Sequence, residues 1–166
     1  IDLESQTVID SETCDDPQGS AGMRIMDMIV NEDASKLFAV SMHGGFHSYT
    51  INADGTLESD IVGGGGDGNI IGLTFTPWGY TPHKIWLDES GATDYAYITT
   101  DYSTRCLAKF DISDPTAISY EYSYAGSQDC SGLAYIGNSG SGNTFAIVTE
   151  DDGASLRIVR DSGSSF

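Results

Sequence analysis

The sequence predicts an all-β protein built from a repeated, four-stranded antiparallel unit. Short runs of alternating apolar and polar residues recur along the chain, whereas no window keeps an apolar face at helical spacing over three turns. Twenty glycines, many beside Asp or Ser, separate these runs, as tight turns between strands require. Three hairpin-like segments of similar pattern, at 35–52, 93–113 and 142–161, indicate that one unit is repeated.

Each hairpin is preceded by one further short apolar run, which predicts first strands near 25–30, 83–88 and 131–136. Aligning Leu37, Tyr95 and Phe145 brings the hairpins into a common register. Fourth strands follow the first two hairpins as "GTLESDIV" and "AISYEYSYA", but the third copy reaches "RDSGSSF" without one. The unit recurs about every 50 to 58 residues, a period typical of propeller blades.

The predicted fold is therefore a β-propeller of four-stranded antiparallel blades. Three blades are expected, at about 26–66, 80–126 and 130–166, and residues 1–25 are an N-terminal extension or a closing segment. Because propellers contain roughly four to eight blades, the ring is incomplete in this chain. The alternative is a β-sandwich whose hairpins resemble one another by chance.

Charge and length limit the kinds of partner. The 166 residues include 25 acidic and 7 basic side chains, so the net charge is -18. Nucleic acid and anionic membrane surfaces are improbable partners, whereas cations and basic proteins fit, and the charge equally suits solubility in a salty medium. No run approaches the roughly 18 apolar residues that cross a bilayer. A start at Ile1 and few lysines lead us to expect a processed chain or a fragment, at an extracellular or cell-surface location.

The three cysteines predict one disulfide. Cys14, Cys106 and Cys130 match no zinc-binding spacing. Cys106 begins the third strand of the second unit and Cys130 lies in the loop that enters the third unit, so both fall on one rim. The pair to be bridged, if any is, is therefore Cys106–Cys130, which leaves Cys14 free or joined to other sequence.

Two family resemblances agree with a propeller. The segment "TPHKIWLDESGATDYAYITTDYSTRCLAKFDIS" resembles the lactonase-type propellers, which include 6-phosphogluconolactonases and carboxymuconate cyclases, and so does "FHSYTINADGTLE". The segment "LAKFDISDPTAISYEYSY" is similar to LVIVD-type propeller repeats. The lactonase resemblance implies an active-site mouth in which His83 is the acid/base and Arg105 holds an anionic substrate. Arg105 is equally expected to pair with Asp101 across its own turn.

In a propeller, the loops that enter each blade and those that join its second and third strands gather on one surface. The residues expected there are His43, His83, Asp101, Arg105, Asp129, Glu150, Asp151 and Asp152. Three of these, His43, Asp101 and Asp129, are candidate binding residues, and so are Trp78 and Tyr80, which with Trp86 are alternatively packing residues between blades. Glu150, Asp151 and Asp152 supply hard oxygen ligands suited to Ca²⁺, although they lack EF-hand spacing. No other cofactor is predicted.

Three functions remain open. The first is a non-enzymatic, secreted or surface-exposed propeller module for protein binding or assembly. The second is a lactonase- or cycloisomerase-like enzyme that acts on a small anionic substrate, and the third is a structural repeat subunit of a filament or large complex. The expected partners are other propeller blades, from the same parent chain or another subunit, because an open array exposes the faces of its terminal blades. The large residues expected on such faces are Tyr120, Tyr122, Tyr124, Phe145 and Val148.

Overall fold

A computed structural model describes residues 10, 24–41, 45–60, 81–101, 105–126, 129–138, 140, 142–151 and 153–166. These residues form eleven strands and no helix, so the all-β prediction is confirmed. Among them there is accordingly no helix long and apolar enough to span a membrane.

The strands form three antiparallel sheets. Sheet 1 contains β1 (Ile25–Val30), β2 (Lys36–Ser41), β3 (Gly45–Ile51) and β4 (Leu57–Ser59). Sheet 2 contains β5 (Pro82–Asp88), β6 (Tyr95–Thr100), β7 (Leu107–Asp111) and β8 (Ser119–Tyr124). Sheet 3 contains β9 (Cys130–Asn138), β10 (Asn143–Asp151) and β11 (Gly153–Arg160).

Each sheet is a meander in which consecutive strands pair, so the described strands do not form a Greek-key sandwich. The three predicted first strands are confirmed as β1, β5 and β9. A four-stranded third sheet is not seen in the described chain, because residues 161–166 leave β11 and turn at Gly163, where φ is 91°. "RDSGSSF" thus contains no strand after Arg160, as its sequence indicated.

Sheet 2 lies between the other two. Its first strand, β5, contacts β1 on one side and β9 on the other. The core between sheets 1 and 2 is formed by aliphatic and aromatic side chains: Phe38, Val40, Phe46, Ile85, Leu87, Ala96, Ile98, Ala108, Phe110, Ile112 and Ile118. The core between sheets 2 and 3 contains Tyr97, Cys106, Leu107, Cys130, Phe145, Ile147 and Val159, with Trp86 packed against it. Trp86 stacks on Tyr135 and contacts Phe145 edge-on, so it packs between sheets as the sequence suggested.

The outer faces of sheets 1 and 3 remain exposed. We call the outer face of sheet 1 the first end face; Met28 and Val30 lie there, 63% and 46% exposed. We call the outer face of sheet 3 the last end face; Leu156 and Ile158 lie there, 70% and 60% exposed, with Val148 half-buried opposite Leu156 on β10. The expectation that Phe145 is exposed was wrong, because its side chain points into the core between sheets 2 and 3. The expectation was also wrong for Tyr120, Tyr122 and Tyr124, which lie on β8 of the middle sheet, where Tyr120 and Tyr124 pack against the two cores.

The alignment of Leu37, Tyr95 and Phe145 was wrong by one residue for the second hairpin, because Tyr95 lies on the opposite face of its sheet from the other two. Leu37 lies beside Phe38 and so points away from sheet 2, and Phe145 points back toward sheet 2. Tyr95, however, packs toward sheet 3. Successive side chains of a strand alternate between faces, so a one-residue shift moves a side chain to the other face.

Turns at one end of the sheets share a side-chain cap. A carboxylate or amide oxygen accepts a hydrogen bond from the backbone N–H two residues later, which is an Asx turn. The pairs are Asp33 with Ser35, Asp54 with Thr56, Asp88 with Ser90, Asp111 with Ser113, Asp114 with Thr116, Asn138 with Gly140 and Asp161 with Gly163. Part of the acidic composition is therefore used to fix turns.

A disulfide joins sheets 2 and 3. Cys106 and Cys130 are bonded, fully buried, and have Cα atoms 5.2 Å apart. The predicted pairing is confirmed, and its geometric reason holds, because Cys106 comes just before β7 and Cys130 begins β9.

Replacing both bridged cysteines, by Cys106→Ser with Cys130→Ser, is expected to lower the free energy of unfolding by about 3 kcal/mol, the entropy of closing a loop of this length. The two cysteines are 24 residues apart. Urea denaturation under oxidising conditions measures the loss, and Cys14→Ser, which leaves the bridge intact, is the control. A double variant as stable as the wild type would contradict the prediction.

Candidate functional site

The most polar buried region lies where the end of sheet 3 meets sheet 2. Lys109, in the middle of β7, points toward sheet 3, and its Nζ lies 2.8 Å from Oδ2 of Asp161, which follows β11. The two side chains are 6% and 4% exposed. A buried ammonium is costly unless a carboxylate compensates it, so the two residues depend on each other.

Tyrosines surround the ammonium of Lys109. Tyr97 and Tyr122 are its cross-strand neighbours on β6 and β8. The Nζ atom lies 3.7 Å from the ring centroid of Tyr95 and within 3.2 Å of the Tyr122 hydroxyl. The negative face of an aromatic ring attracts a cation, so the rings stabilise the charge in addition to the ion pair.

Asp161 accepts hydrogen bonds on both carboxylate oxygens. Oδ2 accepts from Lys109 and, at 2.5 Å, from the Tyr97 hydroxyl. Oδ1 accepts from the Tyr122 hydroxyl and from the backbone N–H of Gly163 at 2.7 Å. Burial by itself would raise the pKa of Asp161, but the donors Lys109, Tyr122 and Tyr97 outweigh it and hold the pKa below its usual value.

The pKa values of Tyr97 and Tyr122 shift in the opposite direction from that of Asp161. Burial and the hydrogen bond to the Asp161 carboxylate both favour the neutral phenol, so the pKa values of Tyr97 and Tyr122 are raised. At neutral pH the cluster therefore consists of an ammonium, a carboxylate and two protonated phenols.

Asn143 extends the cluster to sheet 2's first strand. Its Nδ2 donates to Asp88 Oδ2 at 2.5 Å and lies 3.2 Å from the Tyr97 hydroxyl. Gly142, with φ 119°, permits this approach, because a Cβ atom there would overlap the carbonyl oxygen of Asp161. Residues from β5, β6, β7, β8, β10 and the segment after β11 thus meet in one network.

A cavity of about 340 Å³ opens beside the network, lined in part by Asp88, Tyr95, Asn138, Asn143 and Gly163. Lys109, Tyr97 and Asp161 also line it, and their polar groups bond to one another. The arrangement therefore joins two sheets and holds a buried charge in place, and no described group in it has the geometry of a nucleophile with its base.

The two residues of the predicted catalytic mouth, His83 and Arg105, have separate surroundings, and their catalytic roles stay predictions. His83 lies half-buried in β5, where the pairing with β6 shifts register between Pro82 and Lys84. The guanidinium of Arg105 lies 5.6 Å from the ring centroid of Tyr120. Both residues are described, and no hydrogen bond or ion pair joins them.

Asp101 and Asp129 have other positions. Asp101 Oδ1 accepts from the Thr81 N–H at 2.5 Å and its own N–H donates to the Thr81 carbonyl, so it closes the end of the β5–β6 hairpin. The alternative ion pair of Asp101 with Arg105 is not formed. Asp129 is exposed directly before β9.

The remaining candidates fall largely outside the described residues. This applies to His43, Trp78, Tyr80 and Asp152, and the side chains of Glu150 and Asp151 in β10 are not described either. Within the described ranges, no group of three or more His, Cys, Asp or Glu side chains is placed to hold a metal ion. The Ca²⁺ site stays a prediction.

Comparison with family models, with curated proteins and with solved structures finds no match to this chain. The resemblance to lactonase-type and LVIVD-type propellers therefore stays an expectation from the motifs quoted above.

Sequence reasoning missed the Lys109 network. The available signal was a single lysine inside the apolar run "LAKF", at an inward position of β7. Its partner Asp161 is 52 residues away in the sequence, and no local pattern connects the two.

Lys109→Met is expected to lower the free energy of unfolding by about 3 kcal/mol, because it leaves the Asp161 carboxylate buried without its cation. The control is Lys84→Met. Lys84 pairs with Asp27 at 3.7 Å and both side chains are partly exposed, 47% and 27%, so its loss should cost less than about 1 kcal/mol. Urea denaturation at pH 7 compares the two variants, and equal losses would contradict a special role for Lys109.

The pH dependence of stability should have an acid and an alkaline limb. Asp161 has a lowered pKa, so its contribution is present above its unfolded pKa of about 3.9 and is lost as pH falls through the folded value. Tyr97 and Tyr122 have raised pKa values, so their contribution is present below about pH 10 and is lost as pH rises further.

Urea midpoints measured across pH test this. Asp161→Asn should flatten the acid limb and Tyr122→Phe the alkaline limb. If either variant keeps the wild-type pH profile, that residue does not carry the linkage.

Proposed function

We propose that this chain is a β-propeller-type module for assembly, which works without catalysis by docking its end faces on further sheets of the same kind. The observation that carries the proposal is the pair of exposed apolar end faces, with Leu156 and Ile158 at one end and Met28 and Val30 at the other. Apolar patches of this kind on a soluble protein mark interaction sites.

The arrangement of the sheets supports a propeller. Each of the three sheets is a meander, and their first strands β1, β5 and β9 are successive neighbours. A propeller has the same arrangement, since the first strands of its blades line a common axis. A sheet with two apolar faces cannot bury both alone, so such sheets must stack.

Sheet 2 indicates what covers an end face. Its face toward sheet 1 is covered by Phe38 and Val40, and its face toward sheet 3 is covered by Phe145 and Ile147. The last end face of sheet 3 corresponds to the face by which sheets 1 and 2 each contact the next sheet. The first end face of sheet 1 corresponds to the face by which sheets 2 and 3 contact the preceding one.

The occupant we propose is a second copy of the chain, packed head to tail. The two end faces differ, so the contact joins the last end face of one copy to the first end face of the other. Two copies of three sheets would place six in a ring, within the usual range of roughly four to eight. If the rotation does not close, the same contact gives an open filament, which was the third function considered.

Charge opposes this association at low ionic strength. Each copy has a net charge of -18, and like charges repel over about 10 Å at 0.1 M salt. Association should therefore strengthen as salt is added. The buried Cys106–Cys130 bond supports an oxidising, extracellular or cell-surface location as part of the proposal.

The enzymatic alternative has less support. It requires His83 and Arg105 at one mouth, yet Arg105 lies over Tyr120 and no hydrogen bond or ion pair joins it to His83. No described feature favours a lactone or another small anionic substrate.

The assembly proposal predicts how two kinds of end-face variant behave in sedimentation. Wild-type chain should form a two-copy species. Leu156→Glu with Ile158→Glu, and separately Met28→Glu with Val30→Glu, should weaken association about a hundredfold or more, because each buried Leu, Ile, Val or Met contributes about 1.5–3 kcal/mol. Equimolar mixing of the two variants should restore a 1:1 dimer through the one intact contact.

The control is Ser119→Glu, an added charge at an exposed position of sheet 2, which should associate as the wild type does. Dimers of either end-face variant alone would indicate a symmetric contact through one face and contradict the head-to-tail proposal. A wild type that sediments as a monomer at every concentration and salt would contradict the assembly function.

A further inference from the structure

The cavity beside the Lys109 network has the size of a site for one small ligand. It measures about 340 Å³, and small-molecule sites enclose roughly 300–1,000 Å³. It lies between the ends of β5 and β9, the beginnings of β6 and β10, and the segment after β11. Gly140 and Gly163 line it with φ of 76° and 91°, and a Cβ atom at either would meet nothing within 4 Å, so side chains leave this wall open.

The charged groups in the cavity wall are already paired. The Lys109 ammonium is bound to Asp161, and the Asp161 carboxylate accepts four hydrogen bonds in total. Asp88 accepts three, which leaves one of the roughly four acceptor positions of a carboxylate. An anionic ligand would meet two carboxylates with no spare cation, and a cationic ligand would meet the ammonium. The wall therefore favours a neutral ligand.

The side-chain oxygen of Asn143 opens into this cavity. Both hydrogens of its Nδ2 are used, by Asp88 and by the Tyr97 hydroxyl, whereas its Oδ1 has no hydrogen-bond partner among the described residues. Asn143 is 5% exposed. Its Oδ1 is nevertheless not fully enclosed, because within the described ranges Thr99 Oγ1 is the only unpartnered side-chain atom that is. An almost buried acceptor is thus directed at the cavity.

Two further polar groups of the wall have unused hydrogen-bonding capacity. Asn138 Oδ1 accepts from the Gly140 N–H at 2.9 Å, and no described residue accepts from its Nδ2. The half-buried Tyr95 has its ring beside the Lys109 ammonium, and no described residue bonds to its hydroxyl. The cavity thus offers acceptors, a donor and a hydroxyl at once. Only a hydroxyl both donates and accepts among the common neutral groups of this size, so a ligand with several hydroxyls matches this set.

An aromatic stack lies next to the cavity. Trp86 and Asp88 are two residues apart on β5, so they share one face of the strand. Tyr135 stacks on Trp86 with ring centroids 4.2 Å apart, yet it remains 40% exposed. A sugar ring carries hydroxyls around its edge and apolar C–H groups on its faces, and an exposed aromatic ring suits such a face. A ligand that extends from Asp88 along β5 therefore meets a surface that also fits a sugar.

We infer that the cavity between sheets 2 and 3 binds a neutral sugar unit, whose hydroxyls pair with Asn143 Oδ1 and the other open polar groups of the wall. The free energy comes from pairing polar groups that the folded chain leaves without partners. The site lies within one copy of the chain, so this inference does not rest on the proposed assembly.

Calorimetric titration of the full chain with glucose, galactose, mannose and N-acetylglucosamine tests it. Tyr95→Phe keeps a ring beside Lys109 and removes only the hydroxyl. We expect this variant to bind the sugar about tenfold more weakly, the effect of one hydrogen bond. Its urea midpoint should equal that of the wild type, because the hydroxyl has no described partner to lose. Tyr120→Phe, on the side of sheet 2 that faces sheet 1, is the matched control and should bind as the wild type does.

Asn138→Asp tests the charge of the ligand. It keeps the oxygen that accepts from the Gly140 N–H and replaces the donor by a carboxylate. A neutral sugar should bind about tenfold more weakly to this variant. The control is Asn52→Asp, in an exposed turn of sheet 1. If choline binds instead of the sugars and binds more tightly to Asn138→Asp, or if inorganic phosphate binds instead and is lost in that variant, the ligand is charged and the inference is overturned.

Neutral oligosaccharides that end in the same sugars identify the source of the unit. If the ligand is the end of a glycan, the oligosaccharide binds more tightly than the free sugar, and Tyr135→Ala weakens only the oligosaccharide. If the ligand is a free monosaccharide, the free sugar binds at least as tightly and Tyr135→Ala has no effect. Both results support the cavity as the site. Absence of binding across these sugars, or binding that neither Tyr95→Phe nor Asn138→Asp changes, overturns the inference.

Sedimentation keeps this inference separate from the assembly function. Leu156→Glu with Ile158→Glu alters the last end face and should bind sugar as the wild type does. A chain that assembles through its end faces but binds no sugar overturns the sugar site alone. A chain that binds sugar yet stays monomeric supports the sugar site and contradicts only the assembly function.

Discussion

The structure depends on one constraint: a β-sheet that is apolar on both faces must be covered on both sides. Sheet 2 meets it, since Ile98 and Phe110 are covered by sheet 1, and Tyr97 and Leu107 by sheet 3. Sheets 1 and 3 repeat the strand pattern of sheet 2. Each of them therefore has two packing faces, although sheet 2 is its only neighbour among the described sheets. The repeat that builds the core therefore also creates the exposed surface at each end.

The contact between sheets 2 and 3 is more specific than an apolar one. Lys109 can be buried only against a carboxylate, and Asp161 reaches it only when the end of β11 lies over β7. A displaced third sheet would leave a charge and two phenol hydroxyls without partners, which costs more than a looser apolar contact would. The Cys106–Cys130 bond holds the same two sheets together near the opposite ends of their strands. We infer that the cores provide most of the stability, whereas these two links fix the relative position.

The sequence predicted features that depend on local pattern. Alternation and turn residues placed β1, β5 and β9 correctly, and strand order brought Cys106 next to Cys130. The sequence did not predict on which face of its sheet a side chain lies where a shift of one residue decides this, as for Tyr95 against Leu37. Similar strand patterns can be aligned one residue apart, and each such shift moves a side chain to the other face. Sequence reasoning also missed Asp161 as partner of Lys109, since a contact across two sheets leaves no spacing to recognise. The lactonase-like roles of His83 and Arg105 came from resemblance alone, and no hydrogen bond or ion pair joins the two side chains.

The distribution of charge connects the fold with the proposed assembly. Many acidic side chains, such as Asp33, Asp54 and Asp114, cap turns at one end of the strands. Hydrogen bonds from the hydroxyl, and then from the backbone N–H, of the residue two positions later lower their pKa values. The end faces instead carry Met28, Val30, Leu156 and Ile158. Carboxylates that cap turns keep much of the surface hydrated and repel side-on approach. In the proposed assembly, the end faces are the places where a second chain approaches closely, and the charge around the turns directs that approach end to end.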